Sequence, residues 1–160
     1  MFVKSVKNYS VKAVSAFTLL ALSAAGATAA EAPAWKGSEG TIPVSVTLDD
    51  VKSTSGPIYI SIQKRTEYMG MKGHGGILQE ATLGEMKATF NVDQAGDYAV
   101  SVWHDLNDDG IFSMSESYKI LDGWGNSAET QVAGRPTFDD VKIAVPAYGK
   151  DVTVKMKYPN

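Results

Sequence analysis

The chain contains no cysteine. Without disulfides it must be held together by its core or by a bound ion, and a zinc site would have no thiolates to use. Imidazole is scarce as well, since His74 and His104 are the only histidines, so structural zinc is short of ligands. Basic charge is also thin. All 18 acidic residues follow Ala30, whereas three of the 15 basic ones, Lys4, Lys7 and Lys12, precede it; 12 basic residues then face 18 acidic ones, a formal charge of −6 for residues 31–160. An acidic chain without a basic stripe argues against nucleic acid and anionic membrane surfaces as partners. No stretch beyond residue 30 keeps the 3.6-residue apolar period of a helix. No serine sits in a nucleophile elbow, and no internal repeat or low-complexity tract is present.

The one long apolar run, residues 13–27, follows the three lysines and leads into the small residues Ala27, Thr28 and Ala29. It is too short to span a bilayer and reads as the core of a signal peptide over residues 1–30, cut after Ala29 or Ala30. The expectation is export to the periplasm or the extracellular space, with no membrane span after processing. What remains is about 130 residues, the size of one domain. Residues 31–40 read as a leader and residues 41–160 as a single domain.

From Thr41 onward the apolar period is two. Ile42, Val44, Val46 and Leu48 alternate with polar residues, and Pro43 places this strand at an edge or at its own beginning. Ile58, Ile60 and Ile62 make a second strand, and Met86, Ala88, Phe90 and Val92 another. Tyr98, Val100 and Val102 oppose Ala99, Ser101 and Trp103 across the two faces of a central strand. Val141, Ile143 and Val145, then Val152, Val154, Met156 and Tyr158, form the last two. Residues 68–76 (Y-M-G-M-K-G-H-G-G) read as a mobile surface loop with His74 solvated, because the strand, helix and Lys-Ser/Thr of a phosphate cradle are missing around them. A strand over residues 77–82 is a weak expectation. Residues 117–121 read as a short strand, and residues 122–127 and 134–140 as irregular. The pattern predicts an all-β fold, an antiparallel Greek-key-like β-sandwich of seven to eight strands, immunoglobulin- or transthyretin-like, with no helix.

The chemistry is concentrated in residues 103–116, W-H-D-L-N-D-D-G-I-F-S-M-S-E. Asp105, Asn107 and Asp109 alternate, and Gly110 follows where the chain must turn. With Asp105 as position one, Ile111 stands at seven, Ser113 at nine and Glu116 at twelve. That is the ligand spacing of a twelve-residue calcium loop, in which side-chain oxygens, one backbone carbonyl and a bound water surround the ion. Ordinary Asx-rich turns share the Asp, Asn and Gly, but the glutamate at position twelve favours a metal. The loop leaves a strand, which excludes an EF-hand fold. His104, next to Asp105 and on the face of Tyr98, reads as a buried histidine that orients the loop. Adjacent pairs such as Asp49–Asp50 and Asp139–Asp140 point to opposite faces of a strand and read as turn residues. Trp124, Arg135 and Phe138 lie in the irregular segments after the loop, where aromatics either cap the core or contact a partner.

The segments G-D-Y-A-V-S-V-W-H-D-L-N-D-D-G, D-G-W-G-N-S and G-R-P-T-F-D-D-V-K-I together resemble the bacterial family known as domain of unknown function 2141. The likeness runs over residues 41–158 and is most specific over residues 96–143. The family pattern is close to G-x-Y-A-V-x-x-x-H-D-x-N-x-N-G-x-x-D, then E-G-Y-G-F-S-N and P-x-F-x-D-A. The resemblance implies an exported β-sandwich and carries no biochemical activity with it. This chain departs from the pattern with Ser113 where the family usually has Asp, and with Trp124 where it usually has Tyr. Glu116 offers a carboxylate at a different place in the loop.

These readings lead to an exported, non-catalytic β-sandwich module with a weak calcium loop, binding an envelope or extracellular polysaccharide or protein. Replacement of a carboxylate by Ser113 sets the expected calcium dissociation constant at about 10⁻⁴ to 10⁻³ M. A small exported hydrolase and a purely structural envelope protein are the alternatives.

Overall fold

The computed structural model describes residues 34–35, 40–128 and 135–159. The signal-peptide segment and most of the leader therefore lie outside the described residues. Among the described residues nine strands and one helical turn follow in chain order: β1 (Ala34–Trp35), β2 (Ile42–Val51), β3 (Ile58–Gln63), β4 (Lys72–Leu78), β5 (Gly84–Val92), β6 (Gly96–His104), β7 (Gly123–Asn126), α1 (Phe138–Val141), β8 (Lys142–Val145) and β9 (Lys150–Lys155).

They build the expected β-sandwich. The larger sheet runs β1-β4-β3-β6-β7, with β8 sharing the edge of β6 that β7 also uses; the smaller sheet runs β5-β2-β9. β6 is central, as its two apolar faces predict, with β3 on one side and β7 and β8 on the other. Between the sheets, Val44, Val46 and Leu48 of β2 meet Ile58, Ile60 and Ile62 of β3 and Tyr98 and Val100 of β6, none more than 0 % exposed. Burying such a set is the main favourable term in folding a chain that has no cross-links.

Several expectations are corrected. The sandwich is not wholly antiparallel: β2 and β9 run parallel from Val44↔Lys150 to Asp49↔Lys155, and β1 pairs parallel with β4. Pro43 sits at the beginning of a central strand, ahead of the β9 pairing, so its missing N–H costs no ladder bond there. β2 itself runs on to Val51 through a bulge after Leu48.

The glycine-rich segment is not a surface loop from Lys72 onward. Residues 72–78 form β4, which pairs antiparallel with β3 from Ile58↔Leu78 to Ile62↔His74. A Cβ on Gly75 would collide with the Ile60 carbonyl oxygen, and its φ is +139°, so this strand lies closer to its neighbour than side chains allow. His74 is consequently inside, 2 % exposed, with Nε2 3.4 Å from the Asp93 carboxylate and its ring edge-on to Tyr98.

Residues 123–126, read as irregular, form β7. A Cβ on Gly125 would stand 2.5 Å from Val154 Cγ1 and 3.0 Å from the Lys155 carbonyl oxygen, so glycine lets β7 lean onto the smaller sheet. There the Trp124 and Lys157 backbones exchange two hydrogen bonds of 2.9 and 2.7 Å, joining the two sheets at one corner. Conversely, the strand expected at residues 117–121 is only a Met114↔Ile120 bridge. The helix that the period did not predict is the single turn α1, where the Asp140 carboxylate accepts from Thr137 N (2.7 Å) and Thr137 Oγ1 (2.6 Å).

Candidate binding loop

β6 delivers His104 and Asp105 to one end of the sandwich. By strand parity His104 points inward with Tyr98, Val100 and Val102, and it is 0 % exposed. Its Nε2 lies 2.8 Å from the Ser55 carbonyl oxygen, an acceptor only, so Nε2 carries the proton. Nδ1 therefore accepts from the Tyr158 hydroxyl at 2.9 Å. Burial pushes the imidazole pKa below its ordinary value and keeps the ring neutral. His104 thus joins the β2–β3 turn, the end of β6 and the segment after β9, rather than reaching the loop side chains.

Asp105 is also fully buried. Its own N–H donates to the Pro57 carbonyl at 3.0 Å, and its carboxylate accepts Asp109 N at 3.3 Å and Gly110 N at 2.9 Å. Asp109 in turn accepts from Ile111 N at 2.8 Å and from the Asn107 side-chain amide at 2.7 Å. Gly110 has φ +72°, the sharp turn that its place in the motif predicts. The first half of the motif, Asp105, Asn107 and Asp109, is therefore drawn into one tight turn of oxygen-bearing side chains.

The second half is arranged differently. Ser113 Oγ donates to the Ile111 carbonyl oxygen at 3.2 Å. Residues 113–121 fold into a small hairpin closed by Ser115 N to Lys119 O (2.8 Å) and Leu121 N to Ser113 O (2.9 Å), with Glu116 exposed in its tip. Among the described residues no three His, Asp or Glu side chains are gathered into a metal-holding set. Asp105, Asn107 and Asp109 share one turn. Glu116 stands apart from them.

The residue that sequence reasoning missed is Asp122, which is 1 % exposed. Its Oδ2 accepts from Trp103 Nε1 (2.9 Å) and Ser113 N (2.9 Å), and its Oδ1 accepts from Leu106 N (3.2 Å). One carboxylate thus clamps both limbs of the loop to the indole of β6. The signal available was an aspartate directly after the hairpin, a residue type that caps backbone N–H groups. Among the described residues, no Lys, Arg or His nitrogen comes within 4.0 Å of Asp105, Asp108, Asp109, Glu116 or Asp122.

On the outer face of the larger sheet the registers align Ile77, Tyr59, Trp103 and Trp124 across four strands. Tyr59 stacks on Trp103, with centroids 4.3 Å apart and planes 16° off parallel, and Phe112 of the loop meets Trp103 edge-on at 6.1 Å. Burial, then Asp105 and Asp108, raise the Tyr59 pKa. Beyond this anchored ring the loop is apolar and open: Ile111, Phe112, Met114, Tyr118 and Leu121 are 42 to 83 % exposed.

Trp124, Arg135 and Phe138 are not brought together. Trp124 is half-buried opposite Trp103, with Lys157 Nζ 4.3 Å from its ring centroid. Phe138 is 5 % exposed and packs with Ala99 and Val141 against Tyr68 in a second apolar cluster. Ala99 lies four residues, roughly 13 Å, back along β6 from Trp103. Arg135 is exposed beside Pro136, whose carbonyl accepts the Tyr68 hydroxyl at 3.1 Å. A separate open cleft of about 850 Å³, lined by Pro43, Asp97, Pro146, Tyr148 and Lys150 among others, includes none of these residues.

No curated protein and no solved structure matches the chain. A family model does, over residues 46–154, from the middle of β2 to the last but one residue of β9, which takes in the whole loop and every strand but β1 in whole or in large part. The chain accordingly belongs to the family described as uncharacterized protein conserved in bacteria, domain of unknown function 2141.

Proposed function

We propose that the chain is an exported, non-catalytic binding module that works through residues 105–121, with calcium as a weak ligand of the loop and an envelope or extracellular protein or polysaccharide as its partner. The observation that carries this reading is the concentration of exposed Ile111, Phe112, Met114, Tyr118 and Leu121 on one loop whose limbs are clamped by Asp122. Exposing large apolar groups on a held loop costs solubility and is otherwise without reward, so such patches mark contact sites. A catalytic reading finds less support, because both ring nitrogens of His104 are already engaged within the core.

Calcium would draw first on Asp105, Asn107 and Asp109. Without a cation near them, their charge and the neighbouring Asp108 repel one another, so an ion bound there stabilises the fold by linkage. The test uses the purified chain with Tyr118→Ser and Ile111→Ser, two exposed positions where the fold has little to lose. Against panels of glycans and envelope proteins, wild type should bind a component that the double variant does not. Equal binding by both, or a double variant that melts far below wild type, would overturn the contact role. Mass spectrometry of the natively produced protein tests export and should find its N-terminus at Ala30 or Glu31.

A further inference from the structure

Methionine usually fills cores, as Met86 and Met156 do here at 2 % exposure each. Met69 and Met71 do the opposite, at 50 and 49 % exposure, two residues apart in the turn between β3 and β4. The turn is built with unusual care for a surface connection. Gln63, 3 % exposed at the end of β3, donates through Nε2 to the carbonyls of Gly70 (2.8 Å) and Lys72 (2.6 Å), and its Oε1 accepts from Met69 N (3.2 Å). Gly70 N also donates to the Glu67 carbonyl at 2.8 Å, and the Tyr68 hydroxyl ties the turn to Pro136. Met69 is held at φ +61°, a left-handed conformation that a side chain as long as methionine adopts only when its surroundings impose it. The backbone is fixed, and the two thioethers are left in solvent.

We propose that Met69 and Met71 form a surface site for a soft monovalent metal cation, Cu(I) or its stable analogue Ag(I), chelated by the two thioether sulfurs. Consecutive Cα atoms are 3.8 Å apart, so the two methionine Cα atoms lie within about 7.6 Å and both flexible side chains can reach one ion. Thioether sulfur is a soft donor that leaves calcium and magnesium to oxygen ligands and takes Cu(I). The chain has no cysteine to compete for such an ion. His74, the imidazole nearest in sequence, is turned into the core against Asp93 and Tyr98. An apolar contact surface would use methionines for their adaptability and has no need of a backbone held by a buried glutamine. A chelate does need one, because the separation of its donors sets its affinity. The ion is coordinated without change of oxidation state.

The full chain labelled with ¹³C in its methionine methyl groups, titrated with Ag(I) in chloride-free buffer, tests the site. The Met69 and Met71 resonances should shift together and saturate at one equivalent, while those of Met86, Met156 and the exposed Met114 stay in place. Loss of one donor turns a chelate into a single contact, so Met69→Leu and Met71→Leu should each weaken binding by at least about tenfold. Both variants should melt as wild type does, since the side chains are exposed. Absence of any shift, an equal shift at Met114, or wild-type affinity in the double variant would overturn the proposal.

Discussion

His104, buried at the end of β6, and the surface carboxylates of Asp139 and Asp140 answer acid differently. The folded pKa of His104 lies below the ordinary histidine value of about 6.5, because burial disfavours its cation. Between those two values the unfolded chain binds a proton that the folded chain does not, so stability is complete above about pH 6.5 and falls as the pH drops below it. The carboxylates of Asp139, paired with Arg65 and Lys142, and of Asp140, bonded to Thr137, are held below their ordinary range and act in a separate, more acidic window. Denaturant melts from pH 7.5 to 5 should show this slope in wild type and a flatter one in His104→Asn; identical slopes would mean that His104 does not titrate there. Asp122→Ala leaves Trp103 Nε1, Leu106 N and Ser113 N without their acceptor, at a cost of about 1–3 kcal/mol for each group that water cannot reach. The loss should appear as a lower denaturation midpoint together with red-shifted indole fluorescence. Neither the role of His104 nor that of Asp122 could be read from the chain alone. The parity of Tyr98, Val100 and Val102 put His104 inside correctly, but its partners Ser55 and Tyr158 are 49 and 54 residues away in sequence.

Among the elements, the strands with alternating side chains were legible and those built on glycine were not. β2, β3, β5 and β6 show their inward faces as Ile, Val, Leu, Phe and Tyr every second residue. β4 and β7 hide the same alternation, because Gly73, Gly75, Gly123 and Gly125 occupy positions where neighbouring backbone or side chains leave no room. What reads as looseness in sequence is close approach in space. Gly75→Ala should therefore be among the most damaging conservative changes available, since its Cβ meets backbone rather than a yielding side chain and its φ is wrong for alanine. A loss of at least about 3 kcal/mol in denaturant melts is expected. Gly84→Ala, with nothing within 4 Å of the added carbon, should lose only what its φ of +89° imposes. Equal losses at the two positions would show that backbone conformation, not the approach of β4 to β3, is what β4 requires. The calcium motif was legible for a related reason. Asp105, Asn107 and Asp109 are local in sequence and local in space, whereas the clamp by Asp122 depends on a hairpin that no alternation announces.

At the scale of the molecule, the acidic loop leaves the central strand β6 through the buried Asp105, so a ligand at the loop should register in the melting of the whole. Calcium at about 100 times its dissociation constant should add about 2.7 kcal/mol, and Asp109→Ala, at an exposed position, should remove that gain while keeping the fold. Asp105→Ala is the poorer probe, because its buried carboxylate also caps Asp109 and Gly110. An unchanged melting temperature at about 0.1 M calcium, roughly 100 times the weaker of the expected dissociation constants, would reduce the motif to a turn. The smaller sheet adds a constraint in time. β9, the last strand, lies alongside β2, the first long one, about a hundred residues earlier in the chain. β5 can join β2 as soon as it emerges, but the other edge of β2 stays bare until β9, well downstream of β5, has been made. Until then the chain presents an unpaired, Val-rich strand edge of the kind that recruits other chains. A chain cut before residue 150 would leave that edge unpaired, a sticky intermediate rather than a smaller native protein.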